Sequence, residues 1–358
     1  MPNFIIHIGP AKTGSKYLQS SLFGLRAEML KDGINYADDW WSERQPHISH
    51  APLLERLKGP PDAETEAAFR RLRESHYRSV ILSCEGFTAL SPEKLAYWRS
   101  LLGNSPTEIV FYCRRWSERI PSTWRQDIKE GRFETLPELC VRTFLKPIEN
   151  RGINYTLVWK DYAAAFGKEN LRLVSYSNLR DQNVDIVRHF LSEVVKWRDD
   201  VVLPTENIRT NVSPDAFHTE TLRSLNYLHF SKTGKTDFRV RVRYFQRENM
   251  GPAAQSSGAH ANTRPATPAS NRLTEAMQQN LSKLRIDDRS VSFDEVYRAV
   301  SQYRDCLIGT QYGADIFQRA PVEFDWVRPD YLACPGVIES LEELYASLDV
   351  PQSPPRRP

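Results

Sequence analysis

Residues 4–19 read Phe-Ile-Ile-His-Ile-Gly-Pro-Ala-Lys-Thr-Gly-Ser-Lys-Tyr-Leu-Gln, and this stretch carries the clearest anion chemistry in the chain. A lysine, Lys12, stands in a run of small residues with Thr13, Gly14 and Ser15, and Lys16 follows. Such a turn offers one ammonium, and backbone N–H groups at the start of a following helix add aligned donors. Together they suit a phosphate. The Walker loop needs Gly-x4-Gly-Lys-Ser/Thr. Gly9 and Gly14 have that spacing, but Ser15-Lys16-Tyr17 puts the lysine one place late and leaves no hydroxyl behind it for magnesium. The turn is therefore read as an anion cradle of another kind.

Two further places join charge to the end of an apolar run. Ser79-Val80-Ile81-Leu82-Ser83 leads into Cys84-Glu85, and Glu108 to Cys113 leads into Arg114-Arg115, with Ser122 eight residues beyond Arg114. A carboxylate past a buried strand lies on the edge where open α/β sheets collect ligands, which makes Glu85 a functional candidate, and arginines with a serine can converge on one anionic group. Between residues 37 and 60, read as irregular, Trp40 and Trp41 could stack on sugar rings, and His47 and His50 could supply a base. No third metal ligand stands near those histidines.

These groups need elements to hold them. Ile5, Ile6 and Ile8 with Phe4 describe a short buried strand, and Leu18, Leu22, Leu25 and Met29 recur at helical spacing to about Lys31, with Gly33 as the stop. Continuous apolar runs at 79–83 and 108–113 have the character of strands covered on both faces of a parallel sheet. Ser91-Pro92-Glu93 caps a helix that Gly103 ends, and helical pattern returns from about Arg272 to Leu284 and from Phe293 to Leu307. The expected fold class is α/β, a central parallel sheet flanked by helices, in one domain over residues 1–350. Residues 251–270 form a flexible insertion, and 351–358 a disordered tail.

Composition narrows the function. With 48 basic and 45 acidic residues the net charge of +3 gives no case for nucleic acid. Five scattered cysteines without a Cys-x-x-Cys pair point to a reduced compartment and no zinc site. No signal peptide and no integral membrane segment are visible, so a cytoplasmic protein is expected.

Taken in order, Lys12-Thr13-Gly14-Ser15, Leu82-Ser83-Cys84-Glu85 and Arg114-x7-Ser122 resemble the signature of sulfotransferases that use 3′-phosphoadenosine 5′-phosphosulfate (PAPS). Trp159-Lys160-Asp161-Tyr162 and Leu171 to Tyr176 are similar to a later part of that family, and the likeness covers roughly residues 4–230. The resemblance implies a P-loop-like sulfotransferase fold of the soluble, bacterial, carbohydrate-acting type. It implies PAPS as co-substrate, no metal, and a carbohydrate or glycolipid hydroxyl as acceptor. Lys12 then stabilises the leaving phosphate, and Thr13, Gly14, Ser15 and Lys16 cradle the 5′-phosphate. Arg114 and Ser122 take the 3′-phosphate, Tyr176 approaches the nucleotide, and Arg209 is a further 3′-phosphate ligand. Glu85 is the general base, with His50 or His47 in reserve, and Trp40 and Trp41 face the acceptor.

The chain departs from the family at Lys16, where a second hydroxyl is usual, and lacks the Arg-x-Gly loop near the C-terminus. Two other readings stay open at this stage. A nucleotide-dependent P-loop kinase requires magnesium and a Walker B aspartate, and a non-catalytic nucleotide-binding protein requires only the cradle.

Overall fold

The computed structural model describes residues 1–38, 49–198, 214–248 and 268–350. The expected insertion lies outside these residues except for its last three positions, and the tail and Trp40, Trp41, His47 and Arg209 lie wholly outside them. The chain falls into two compact units. The first comprises Met1–Trp116, Lys146–Ile208 and Arg289–Arg319, and the second Ser117–Leu145, Arg209–Asp288 and Ala320–Pro358.

Five strands build the first unit: β1 (Asn3–His7), β2 (Ile34–Tyr36), β3 (Ser79–Ser83), β4 (Thr107–Cys113) and β5 (Leu171–Ser175). They pair in the order β2-β3-β1-β4-β5, all parallel. This is the α/β architecture that the apolar runs call for. Every residue of β3 is buried, as are the last four of β1, because helical crossovers cover both faces of a parallel sheet. The crossovers include α1 (Ser15–Lys31), α2 (Ala51–Lys58), α3 (Ala63–Glu74) and α4 (Pro92–Leu102). On one side of the sheet Leu18, Leu22, Leu25 and Met29 of α1 join Ile5, Ile81, Val110 and Phe190 in one apolar cluster.

Strand order decides where a ligand can sit. From β1 the chain goes to the edge strand β2, returns to β3 beside β1, then crosses to β4 and β5 on the other side. In such sheets a crevice opens beyond the carboxyl ends of the strands where direction reverses. The register aligns His7 with Ser83 on one neighbour and with Val110 on the other. The segments that follow β1, β3 and β4 therefore leave the same edge side by side.

Helix α5 (Trp116–Lys129) follows β4, and all but its first residue belongs to the second unit. That unit also contains α6 (Leu136–Leu145), and later in the chain the helices Ala216–Thr233 and Arg239–Arg247. Its core sets Leu273 and Met277 against Val327, Tyr331, Val337 and Leu341. Two strands, Leu281–Ile286 and Val322–Val327, pair antiparallel here. The helix expected to reach Leu284 stops at Gln279, because residues 281–286 alternate in exposure and hydrogen-bond to a segment some forty residues away that no local pattern names. Residues 51–58, expected to be irregular, form α2, with Pro52 in its first turn and Leu53, Leu54 and Leu57 buried.

Candidate functional site

Hydrogen bonds continue the edges of β1 beyond its last residue. Ile8 N donates to Val110 O at 3.0 Å, Cys84 N to His7 O at 3.1 Å, and Tyr112 N to Gly9 O at 3.0 Å. There the chain turns. Gly9 has φ +97°, and a Cβ on it would lie 3.2 Å from Glu85 Cα, so glycine lets the backbone at Glu85 close against the loop. Thr13 Oγ1 donates to Pro10 O at 2.7 Å, and Ser15 Oγ reaches the same carbonyl at 3.4 Å. Both hydroxyls are thus buried inside the turn and tie it together. Lys12, at φ +72°, is half-buried in this turn.

Gly14, at φ +78°, sits at the N-cap of the 17-residue α1 and offers no side-chain cap. The first-turn N–H groups of a helix have no intrahelical partner, and the helix dipole adds positive potential at that end. An anion is the usual complement. Lys16, in that first turn, is exposed.

Beyond β4, Arg114 Nη1 donates to Lys12 O at 2.5 Å, and Tyr155 OH holds Arg114 O at 2.7 Å. The Arg114 guanidinium carbon is 6.0 Å from the centre of the Tyr176 ring. Tyr176 in turn reaches within 3.6 Å of where a Gly14 Cβ would stand. Lys12, Gly14, Arg114 and Tyr176, spread over 164 positions of sequence, are therefore gathered at one end of the sheet. Arg115 goes elsewhere: it is buried and bonds the Asp181 carboxylate, and its backbone N–H donates to Ser177 Oγ at 3.0 Å. Burial alone would raise the Asp181 pKa, but the bonds from Arg180 and Arg115 outweigh it and hold the carboxyl below its ordinary value.

Glu85 is half-buried and opens the short 3-10 turn Glu85–Ala89 directly after Cys84. Beneath it lies a group that the sequence reading quotes without using. His7 is wholly buried, with Nδ1 2.8 Å from Ser83 Oγ, which also accepts from Gln19 Nε2 at 3.2 Å. Burial pushes the His7 pKa down to about 3, so the ring is neutral at ordinary pH. This network ties β1, β3 and α1 together just below the Gly9 turn. A histidine inside Phe-Ile-Ile-His-Ile was the available signal, since a buried imidazole requires a hydrogen-bond partner.

Two expectations need correction. His50, a reserve base and acceptor contact by sequence, is completely buried and held at both ring nitrogens. Ser83 N donates to Nδ1 at 3.0 Å, so the ring proton sits on Nε2, which donates to Ala37 O at 2.8 Å. A ring locked between two backbone segments serves packing. Thr13 and Ser15, expected with Gly14 and Lys16 to cradle the 5′-phosphate, direct their hydroxyls to Pro10 O, so a contact to a phosphate there falls to backbone N–H groups. Ser122 lies on α5 in the second unit, whereas Arg114 belongs to the first. Among the described residues no group of three or more His, Cys, Asp or Glu could hold a metal ion, and no helix is long and apolar enough to cross a membrane.

No family model and no curated protein matches this sequence. Among solved structures, a sulfotransferase from Alicyclobacillus acidocaldarius is 16% identical, over 67% of this chain and 99% of that one, with a TM-score of 0.36. A likeness that distant describes what the chain is similar to and decides nothing about its chemistry.

Proposed function

We propose that the chain is a sulfotransferase that moves the sulfuryl group of PAPS to a hydroxyl on a carbohydrate or glycolipid. The observation that carries this reading is that Arg114 bonds the Lys12 backbone just ahead of the N-terminus of α1, with the backbone of Glu85 packed against the same loop at Gly9. Two basic residues and a helix end would offer an anion cradle, with half-buried Glu85 next to it in the chain fold.

The fit to a phosphosulfate rests on the donor set. Backbone N–H groups at residues 13–16 would hold the 5′-phosphate, and the Lys12 ammonium would neutralise the charge that grows on the leaving oxygen. Arg114, which donates to Lys12 O and stands beside the Tyr176 ring, would be a nucleotide contact. Ser122 and Arg209 remain proposed ligands of the 3′-phosphate. PAPS supplies the activated sulfuryl group when bound. An acceptor hydroxyl has a pKa far above 7, so a base must take its proton as it attacks, and Glu85 would be that base. Trp40, Trp41 and His47 are proposed acceptor contacts.

Transfer of radiolabelled sulfate from PAPS to a panel of sugar and glycolipid acceptors tests the reading. Lys12→Ala should lower kcat by about 10²–10³-fold, the usual loss for an electrostatic stabiliser. Glu85→Gln should lower it by about 10²–10⁴-fold. Calorimetry should show 3′-phosphoadenosine 5′-phosphate binding and ATP not binding. ATP bound in its place with magnesium, or transfer undiminished in Lys12→Ala, would reject the proposal.

A further inference from the structure

The first unit contains a cleft of about 470 Å³ whose lining includes none of the loop groups above. Its volume falls within the range of small-molecule sites. One wall comes from residues 184–197 and the other from Tyr312. The short helix Ile186–His189 does not continue as an α-helix: residues Phe190–Val194 form a π-helical turn, marked by Val195 N donating to Phe190 O at 2.9 Å. Single π turns are rare and occur often at functional sites. The turn inserts an extra residue and sets Arg188, Ser192, Glu193 and Lys196 along one opening.

Lys196 ends this turn at φ +55°, while Trp197 N donates to Leu191 O at 2.8 Å and closes the chain around it. Helix ends favour glycine in that conformation, and a lysine there is strained. Its ammonium lies 3.7 Å from the Glu193 carboxylate. At the floor, His189 is buried, with Nδ1 3.2 Å from Tyr112 OH and with no hydrogen-bond partner at Nε2. Burial, with Lys196 assisting, holds His189 down to about 4, so the ring is neutral and Tyr112 OH can donate to Nδ1 while Nε2 carries the proton. The cleft is thus lined by two basic residues, a carboxylate, a hydroxyl and aromatic rings, while His189 Nε2 is turned against Gly309, where an added Cβ would lie 2.7 Å from it.

We infer that this cleft binds a small hydroxyl-bearing phosphate or sulfate ester, with Arg188 and Lys196 on the oxyanion and Glu193 accepting from a ligand hydroxyl. A strained lysine where glycine would fit better is what this role explains. The inference does not depend on the sulfuryl-transfer reading, because it uses no residue of the Lys12 loop.

Calorimetry on the full chain with glucose 6-phosphate, glucose 6-sulfate, inorganic phosphate and inorganic sulfate tests it, the two esters distinguishing the two oxyanions. An ester should bind more tightly than either inorganic ion. Lys196→Gly and Arg188→Gln should each weaken that binding about tenfold or more, as expected for a charge-assisted hydrogen bond. Lys196→Gly should melt no lower than the parent, and Lys12→Ala should leave ester binding unchanged. The inference fails if no ester binds, if both cleft variants bind like the parent, or if only Lys12→Ala loses binding.

Discussion

Gly9 and Gly14 both stand at positive φ, +97° and +78°, yet they differ in what a side chain would meet. At Gly14 an added Cβ would make ordinary contacts of 3.5–3.6 Å with Ile186 and Tyr176, so Gly14→Ala pays only for its backbone conformation, about 1–2 kcal/mol. At Gly9 the neighbour is the backbone of Glu85 at 3.2 Å, which cannot turn aside as a side chain can. Gly9→Ala should therefore destabilise more, toward about 3 kcal/mol, and should also displace Glu85. Urea unfolding ranks the two, and a lower kcat in Gly9→Ala than in Gly14→Ala tests the displacement. Equal stabilities would show that the loop relaxes. At this scale the turn itself was legible from order alone: small residues at 13–15 ahead of a leucine-spaced segment placed Gly14 at the start of α1. The role of His7 was not, because an isolated histidine in an apolar strand has many uses until its partner is known, and Ser83 is 76 residues away.

Among the elements, the 18-residue helix Ala216–Thr233 shows how a polar sequence can be buried. Glu220 and Arg223 lie one turn apart on it with side chains 2% and 8% exposed, joined by three bonds of 2.6–3.0 Å. Burial raises the Glu220 pKa despite Arg223 pulling it down, and Arg223 Nη1 also donates to Phe133 O at 3.1 Å. Arg223→Met would strand a buried carboxylate and should cost about 3–5 kcal/mol, whereas the double change Glu220→Leu with Arg223→Met should recover most of that loss. A chemical denaturation cycle over the four proteins measures both. An i,i+3 pair was readable in the sequence, but not its burial, which comes from Tyr331 and other residues distant in the chain.

For the whole molecule, two of the buried histidines, His7 and His189, set a pH dependence. In the unfolded chain both titrate near 6.5, while in the folded protein His7 is lowered to about 3 and His189 to about 4, burial being the main cause for each. Between those limits the unfolded state binds more protons, so stability is full above about pH 6.5 and falls as the pH drops toward 4. Each histidine contributes a slope of about 1.4 kcal/mol per pH unit in that window. Melting temperatures from pH 7.5 to 4 should decline accordingly, and His7→Asn, which can keep a hydrogen bond to Ser83, should flatten the decline. An unchanged slope in that variant would mean that His7 titrates normally.

The amino-acid order by itself determined the strands β1, β3 and β4 of the first unit and the helix α1 that follows the first of them. Apolar runs that must escape water from both faces specify parallel strands, and small residues ahead of a leucine-spaced segment specify a helix start. Only the tertiary structure decided which ends meet. The pairing of β1 with both β3 and β4 put Glu85 and Arg114 on either side of the Lys12 turn, sent Arg115 to Asp181, and locked His50 away from any ligand. Such choices depend on register and on partners more than a hundred positions away, because hydrogen-bond and burial demands are satisfied in space and leave no periodic trace in the chain.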